Sequence, residues 1–149
     1  MRSFRIAVLL GLVLGAGGAA YGQHKAITSP DAPAAIGPYS QAIQAGNMLF
    51  LAGQAAIDPK TKKLDPDSSI EDQTRQTLEN LKAVLAANDM TMANVVSSSV
   101  FMKDLSDFGK MNTVYATYFK DAPPPARATV QVARLPLDAK IEISMIAVK

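Results

Sequence analysis

The chain has 149 residues, of which 48% are hydrophobic and 19% charged, and it contains one histidine and no cysteine. This composition is typical of one soluble globular domain and excludes thiolate catalysis, cysteine-ligated zinc and disulfide crosslinks. With a single histidine, neither a transition-metal centre nor a serine–histidine triad is expected. We therefore predict a protein without a transition-metal site.

The first 22 residues differ in composition from the rest of the chain. Two arginines precede an apolar run, residues 6–14, which gives way to glycine and alanine. This order is typical of a secretory signal peptide, and the run is shorter than the roughly 20 apolar residues of a membrane-spanning helix. We predict cleavage after Gly22, or alternatively after Ala20, and a secreted or periplasmic domain of residues 23–149. A retained membrane anchor is the alternative.

The charge of that mature domain argues against nucleic acid as its main partner. Removing the two arginines of the leader lowers the number of basic residues from 15 to 13, which equals the number of acidic residues. A formally neutral domain lacks the basic surface that phosphate contacts require.

The mature chain begins with a segment rich in alanine and proline. Residues 24–38 contain three prolines and predict an extended entry segment followed by a loop. His24 lies in this segment and is predicted to be a solvated tail residue without a functional role. Residues 40–45 and 48–53 flank Gly46-Asn47, a pair that predicts a β-hairpin with a type II′ turn.

A helix is predicted to begin near Ser69 and to reach Asn88. The pattern Ser68-Ser69-Ile70-Glu71 predicts a capping box, in which a serine oxygen accepts an early amide and Glu71 bonds back to the cap. Helical spacing predicts a core-facing side. Its members are Ile70, Thr74, Leu78, Leu81, Val84 and Leu85.

The second half of the chain predicts a strand, a helix and two further strands. Residues 95–102 are rich in β-branched and small side chains and predict a buried strand, after which Asp104 is a candidate N-cap. The helix after it is predicted to end before the prolines at 123–125. Its apolar face is predicted to comprise Phe108, Met111, Tyr115 and Phe119.

Strands are then predicted at residues 127–134 and 140–148, and a five-residue loop joins them. The complete order is β-β-α-β-α-β-β, which is an α+β domain.

Arg127 and Glu142 are the two candidate functional residues that the pattern itself singles out. Arg127 opens an apolar-alternating strand, and its planar guanidinium suits a carboxylate ligand. Alternatively, it is a strand-end arginine whose head group extends to solvent. Glu142 lies between two isoleucines and therefore points to the opposite face of its strand, where it is either functional or an ordinary exposed residue.

The expected pairing of the last two strands separates these residues. In a simple hairpin Arg134 pairs with Lys140, so Glu142 lies opposite Val132, roughly 16 Å along the sheet from Arg127. One small substrate does not span that gap unless another surface folds over it or the two residues come from different subunits, and a shift of register would change the distance. We therefore hypothesise a site assembled from different subunits.

Several segments of the sequence resemble the RidA (YjgF) family. The longest is Pro-Ala-Arg-Ala-Thr-Val-Gln-Val-Ala-Arg-Leu at 125–135, followed by Ile-Glu-Ile at 141–143. Further matches are Ala-Ala-Ile-Gly-Pro-Tyr-Ser-Gln at 34–41, Gly-Gln at 53–54, and Val-Phe-Met-Lys-Asp-Leu-Ser-Asp-Phe at 100–108. The resemblance covers essentially the whole mature chain.

This resemblance implies a fold, an assembly and an activity. The fold is a chorismate-mutase-like α+β subunit with two helices on one face of a mixed sheet, and the assembly is a homotrimer with clefts between its subunits. The activity is the cofactor-free hydrolysis of reactive 2-imino and enamine acids to 2-keto acids and ammonia. A small imino or keto acid is then the expected partner.

The resemblance also implies roles for individual residues. Arg127 is expected to bind the substrate carboxylate, Glu142 to handle the attacking water and the departing nitrogen, and Tyr39 to line or close the cleft. Gly53 and Asn112 are expected to border it. At 129, where many relatives have cysteine, the chain has a threonine; that position is expected to act through its backbone, so the change should be tolerated.

Other functions remain open at this stage. The first is a non-catalytic trimer that binds small carboxylates in the same clefts, because a shared fold does not fix a function. The second is a protective, holdase-like protein, which would require exposed apolar surface. Ribonuclease activity or inhibition of translation has been associated with the family, but neutral charge and export argue against both.

Overall fold

The computed structural model describes residues 24–149, so the predicted signal peptide lies outside the described residues. It shows the predicted α+β fold, in which two helices cover one face of a six-stranded mixed sheet. The strands and helices are β1 (His24–Ile27), β2 (Ala42–Ala45), β3 (Met48–Gln54), α1 (Ile70–Ala86), β4 (Val95–Met102), α2 (Phe108–Ala116), β5 (Ala126–Gln131) and β6 (Ile141–Val148). No helix among these residues is long and apolar enough to span a bilayer.

One strand was not predicted from the sequence. Residues 24–27 form β1, an edge strand that pairs antiparallel with β2, whereas the sequence analysis treats them as an extended tail. His24 is exposed at the start of this strand. The predicted hairpin of β2 and β3 is confirmed, with Gly46 at a φ of 60° in its turn. A positive φ strains most residues but not glycine.

Helix α1 begins at the predicted residue, but its cap differs in one detail. The Ser69 hydroxyl accepts the backbone N–H of Asp72 at 3.1 Å, and the Asp72 carboxylate accepts the Ser69 hydroxyl in turn. The reciprocal partner is thus Asp72, three residues after the cap, and not Glu71, because only the third helical residue reaches the cap. The face predicted to be apolar is buried against the sheet.

Helix α2 is shorter than its apolar pattern suggests. Asp104 caps a single 3-10 turn over residues 105–107, and the α-helix follows it. Met111, Tyr115 and Phe119 are buried as predicted, but Phe108 is exposed. The Phe108 ring is instead near the guanidinium of Arg127, at 5.7 Å from centroid to Cζ.

The predicted hairpin of the last two strands is wrong. The sheet order is β1-β2-β3-β6-β4-β5, so β4 lies between β5 and β6. Strand β5 pairs parallel with β4, and β6 pairs antiparallel with both β4 and β3. A parallel pair needs a crossover connection, and the segment containing α2 supplies it, which places β5 at the sheet edge.

The two faces of the sheet have different surroundings. On the helical side, alternate residues of β6 such as Ile143 and Met145 are buried in the core. On the other side no element among residues 24–149 covers the strands, although many of the side chains there are apolar. Phe50, Val96 and Val130 are exposed, while Phe101 and Ile146 are half-buried. Exposed apolar side chains that share one face often mark an interaction surface.

Candidate active site

Tyr39, Gly53 and Glu142 come together at one pocket. Its volume is about 340 Å³, and its wall comes from the loop before β2, the end of β3, the start of β6 and the loop that precedes β6. Glu142 is the only acid or base whose side chain lines this pocket within residues 24–149, apart from the phenol of Tyr39. Three of the site residues predicted from the sequence, Tyr39, Gly53 and Glu142, are therefore neighbours.

The Glu142 carboxylate has unusual surroundings for an acid. It is half-buried and makes no hydrogen bond or ion pair with any residue between 24 and 149. Burial raises the pKa of Glu142 above its usual value, because desolvation disfavours the charged form. A carboxyl whose pKa is raised by burial is a candidate for general acid–base catalysis.

Gly53 makes room for this carboxyl. A β-carbon at residue 53 would overlap one carboxylate oxygen of Glu142 and would lie 2.8 Å from its Cδ. The pairing between β3 and β6 is irregular between Leu51 and Gln54, which brings the Gly53 backbone close to the acid. Glycine at 53 thus leaves room for the carboxyl in its present position, whereas a larger residue would require the flexible Glu142 side chain to move.

The loop that carries Tyr39 is fastened by one buried glutamine. The Gln41 side chain accepts the N–H of Ser29 at 2.6 Å and donates to the carbonyl oxygens of Ser29, Ala32 and Pro33, the last at 2.7 Å. The Tyr39 hydroxyl accepts the N–H of Ile36 at 3.3 Å, so its ring folds back over the same loop. Gln41 is not among the residues predicted from the sequence, although its place in the Gly-Pro-Tyr-Ser-Gln segment was the available signal.

Arg127 lies in a second cluster, on the edge strand β5. Its guanidinium donates to Oδ1 of Asn112 at 2.8 Å and stacks over the Tyr115 ring, 4.5 Å from Cζ to the centroid. Such contacts fix the plane of the guanidinium and leave other N–H groups free for an anion. Asn112, expected to border the cleft, contacts Arg127 and does not line the pocket of Glu142. Tyr115 and Phe108 were predicted only as core residues.

Tyr115 is buried on the helical side of this cluster. Burial raises the pKa of its hydroxyl, against smaller opposing effects of Ser98 and Arg127, so the phenol stays neutral beside the guanidinium. A neutral ring stacked on one side and an amide oxygen on another give Arg127 little freedom to move. Thr129 follows two residues later on the same face of β5, opposite Val100 of β4.

The two clusters lie on opposite faces of the sheet. Arg127 pairs with Ser98, which is buried under the helices, and Glu142 pairs with Phe101, three residues further along β4 on the open face. An odd number of residues along a strand reverses the face. The backbones are also about 10 Å apart across the strands and about 10 Å apart along them. One subunit therefore does not bring Arg127 and Glu142 to the same small ligand.

A larger cavity contains none of the predicted site residues. It is a groove of about 770 Å³ on the helical layer, between the carboxyl-terminal halves of α1 and α2. Its cationic rim residues, Arg75 and Lys82, already pair with Asp72 and Glu79. We assign the site to the smaller pocket, since that is where the unpaired acid lies. No group of three metal-ligating side chains occurs within residues 24–149.

The chain is similar to a known protein family and to several solved structures. The sequence model of the family described as Endoribonuclease L-PSP matches residues 29–149. A RutC family protein of Pyrococcus horikoshii is 54% identical over 123 residues, or 83% of this chain and 96% of that protein. The chloroplastic Reactive Intermediate Deaminase A of Arabidopsis thaliana is 49% identical over 121 residues, or 81% of this chain and 64% of that protein. The crystal structure of E. coli TdcF with bound serine has a TM-score of 0.80 at 42% identity, covering 84% of this chain and 98% of that one.

These relationships include all the residues of the two clusters, from Tyr39 to Glu142. The similarity to the TdcF structure also agrees with the observed topology, because it covers 98% of that chain. The chain therefore belongs to the Endoribonuclease L-PSP family, which is the RidA (YjgF/RutC) family that its sequence signature resembles.

Proposed function

We propose that this protein is a cofactor-free deaminase that hydrolyses 2-imino and enamine acids to 2-keto acids and ammonia. The observation that carries the proposal is the Glu142 carboxylate, half-buried and unpaired beside an open pocket, with a raised pKa. Arg127, held by Asn112 and Tyr115, supplies a carboxylate-binding group. The name of the Arabidopsis relative supports the activity, and the serine bound to TdcF supports a small ligand of the amino-acid class.

The chemistry requires only orientation and one proton-transfer group. A protonated imine is electrophilic at C2, and Glu142 removes a proton from water as the water oxygen bonds to that carbon. The electron pair of the C=N bond moves to nitrogen. Glu142 then returns the proton to nitrogen, the C–N bond breaks, ammonia leaves, and loss of the hydroxyl proton gives the keto acid. Arg127 holds the carboxylate throughout, which fixes C2 near the acid.

The opposite-face placement of Arg127 and Glu142 leads us to propose an oligomer, with a homotrimer as the expected form. Each active site would combine Glu142, Gly53 and Tyr39 of one subunit with Arg127 and Asn112 of another. The open apolar face around Phe50 and Val130 is the surface that such an assembly would cover. A second copy of the chain is favoured as the occupant because one subunit alone leaves the site incomplete.

Export forms part of the proposal, because the first 22 residues have the composition of a signal peptide. The mature protein would then act in the periplasm or outside the cell. Expression of the full chain followed by amino-terminal sequencing tests this point. A new amino terminus at Gln23, or at Tyr21, is expected, and an intact leader in the cytosolic fraction would contradict it.

An amino-acid oxidase that generates imines in situ tests the activity. Keto-acid release is compared for the mature protein, the Arg127→Ala variant and no protein. We expect the mature protein to accelerate release and Arg127→Ala to lose at least about 100-fold in kcat/KM, because the substrate loses its anchor. Arg75→Ala, which removes an exposed arginine of α1, is the matched control and should keep full activity.

If the curves with and without protein coincide for several amino acids, the deaminase proposal is wrong. Retained binding of 2-keto acids that depends on Arg127 would then favour the non-catalytic carboxylate-binding alternative.

A further inference from the structure

The pocket beside Glu142 has a wall of apolar side chains that a single subunit leaves exposed. Ile36 is 65% exposed and Leu137 is 53% exposed, and both line this pocket together with Ile57. Large apolar side chains that converge on one cavity next to an unpaired acid are typical of a ligand subsite. Scattered exposed leucines elsewhere on a protein have no such meaning.

The loop that presents Leu137 is held in an uncommon conformation. Leu137 and Asp138 have φ angles of 56° and 55°, in the left-handed region that favours glycine. Two charge-assisted hydrogen bonds from Arg134 to Asp138, at 3.0 and 3.1 Å, fasten the loop behind them. Strain of this kind persists where the surrounding structure imposes it, and it tends to occur at ligand sites. Here it places Leu137 in the wall of the pocket that Glu142 also lines.

The size of the pocket exceeds what the smallest imino acids need. Its volume is about 340 Å³, within the range of sites for small organic ligands, whereas the methyl side chain of an alanine-derived imine would fill little of it. The wall near Leu137 offers no charged group other than Glu142, which is required for the reaction. An apolar substrate side chain bound at this wall would leave water and contact apolar side chains of the protein.

From this arrangement we infer that the pocket is a side-chain subsite with Leu137 as a specificity-determining residue. The preferred substrates are imino acids with bulky apolar side chains, such as those formed by oxidation of leucine or methionine. This inference rests on the proposed function. Each additional buried methylene favours the larger substrate by roughly fourfold. The leucine-derived imine is therefore expected to exceed the alanine-derived one at least about tenfold in kcat/KM.

A pair of matched variants tests the role of Leu137. Leu137→Met and Leu137→Gln introduce unbranched, uncharged side chains of similar length, one apolar and one polar. Leu137→Met should keep the preference for the leucine-derived imine. Leu137→Gln should bring the kcat/KM values for the leucine-derived and alanine-derived imines to within about threefold of each other, mainly by slowing the leucine-derived imine. Keto-acid release from oxidase-generated imines gives the rates. Calorimetry with 4-methyl-2-oxopentanoate and pyruvate gives the affinities independently of turnover, and sedimentation of each variant gives the oligomeric state.

The outcomes separate the two proposals. Equal rates for the leucine-derived and alanine-derived imines in the unaltered protein overturn the subsite and leave the deaminase standing. A Leu137-dependent preference in keto-acid binding without any turnover supports the subsite and overturns the deaminase. If Leu137→Gln dissociates the oligomer and slows every substrate equally, Leu137 is an interface residue and the inference is wrong.

Discussion

The raised pKa of Glu142 predicts that this residue lowers the stability of the fold. Its folded-state pKa lies above the unfolded-state value, because it is half-buried without a hydrogen-bond donor among residues 24–149. A carboxyl with a raised folded-state pKa destabilises at every pH above its unfolded-state pKa, with the full effect above the folded-state pKa. Well below both values it has no effect. Active sites commonly lower stability in this way.

Replacing Glu142 with glutamine should therefore have opposite effects on activity and stability. Glu142→Gln is expected to lower kcat by about 100-fold to 10,000-fold, because the proton-transfer group is lost. Its free energy of unfolding at pH 7 should be higher than that of the unaltered protein, and this gain should vanish in acid below the usual glutamate pKa. Urea denaturation at both pH values measures the difference.

Glu71→Gln is the control for that measurement. Glu71 lies in the first turn of α1, where an acid is favourable for the helix dipole, so its replacement should give no gain at pH 7. A Glu142→Gln variant that is less stable than the unaltered protein at pH 7 would contradict the predicted electrostatics.

Gly53→Ala tests whether the position of the carboxyl matters. The added methyl group would overlap the Glu142 carboxylate, so the side chain must rotate away from its present position. We expect activity to fall by about 10-fold to 100-fold, because a displacement of about 1 Å is enough for such a loss. Gly109→Ala is the matched control, since a β-carbon there meets nothing within 4 Å and alanine favours the helix. Equal activity of the two variants would exclude a positional requirement at Gly53.

Among single residues, the sequence pattern draws attention to the charged members of the candidate site more readily than to the apolar ones. Arg127 and Glu142 stand out because a charge in an alternating apolar strand is unusual. Leu137 and Ile36 do not stand out, because an apolar residue in a short loop has no distinctive pattern. Only the structure shows that both face the pocket of Glu142.

At the scale of secondary structure, the loop of residues 28–39 is the element on which the pocket depends most. Gln41→Leu removes every bond from the buried amide to this loop and leaves Ser29 N–H without a partner. A buried polar group that loses its hydrogen-bond partner costs about 1–3 kcal/mol of stability. We therefore expect the free energy of unfolding to fall by about 2–4 kcal/mol. Activity should also fall, because Tyr39 loses its support.

Gln44→Leu is the matched control for this prediction. Gln44 is half-exposed and makes one hydrogen bond, to the Gly46 carbonyl oxygen at 3.2 Å, so the change should stay within about 0.5 kcal/mol. Thermal and urea denaturation of both variants measure the effect. If Gln41→Leu is as stable as Gln44→Leu, the loop is fastened by other contacts.

The elements that could be predicted are those whose signals are local. Helix α1 has a cap, a long apolar period and no interruption, and its predicted start is correct. Strand β1 has four residues beside a proline-rich segment, so no periodicity distinguishes it from a tail. The pairing of β5 with β4 depends on the crossover through α2, and the short loop before β6 wrongly suggested a hairpin.

At the scale of the whole molecule, the site and the open face have one explanation. Arg127 and Glu142 lie on opposite faces, and the face that carries Glu142 is apolar and uncovered. Association of subunits through that face would bury its apolar residues and bring an edge strand β5 of one subunit near the pocket of another. The hairpin predicted from the sequence and the register observed in the structure both lead to the inference of a shared site. Only the observed register gives the physical reason, because it places Arg127 and Glu142 on opposite faces of the sheet.

A mixture of two inactive variants tests the shared site. Arg127→Ala chains keep Glu142, and Glu142→Gln chains keep Arg127, so each homo-oligomer lacks one group in every site. After joint unfolding and refolding at equal amounts, about one quarter of the sites in a cyclic oligomer should pair an intact Glu142 with an intact Arg127 from the neighbouring subunit. Activity should therefore rise to about a quarter of that of the unaltered protein, whereas the separately refolded variants stay inactive.

The result depends on subunit exchange, which a size-tagged copy of one variant verifies by co-purification. If the chains exchange fully and the mixture is still inactive, each site takes Arg127 and Glu142 from the same subunit, and the shared-site proposal is wrong. A register shift of β5 would then be required, because in the present register the two side chains point away from each other. Recovery of activity would instead explain why a small domain leaves an apolar face uncovered: that face is where a second copy completes the site.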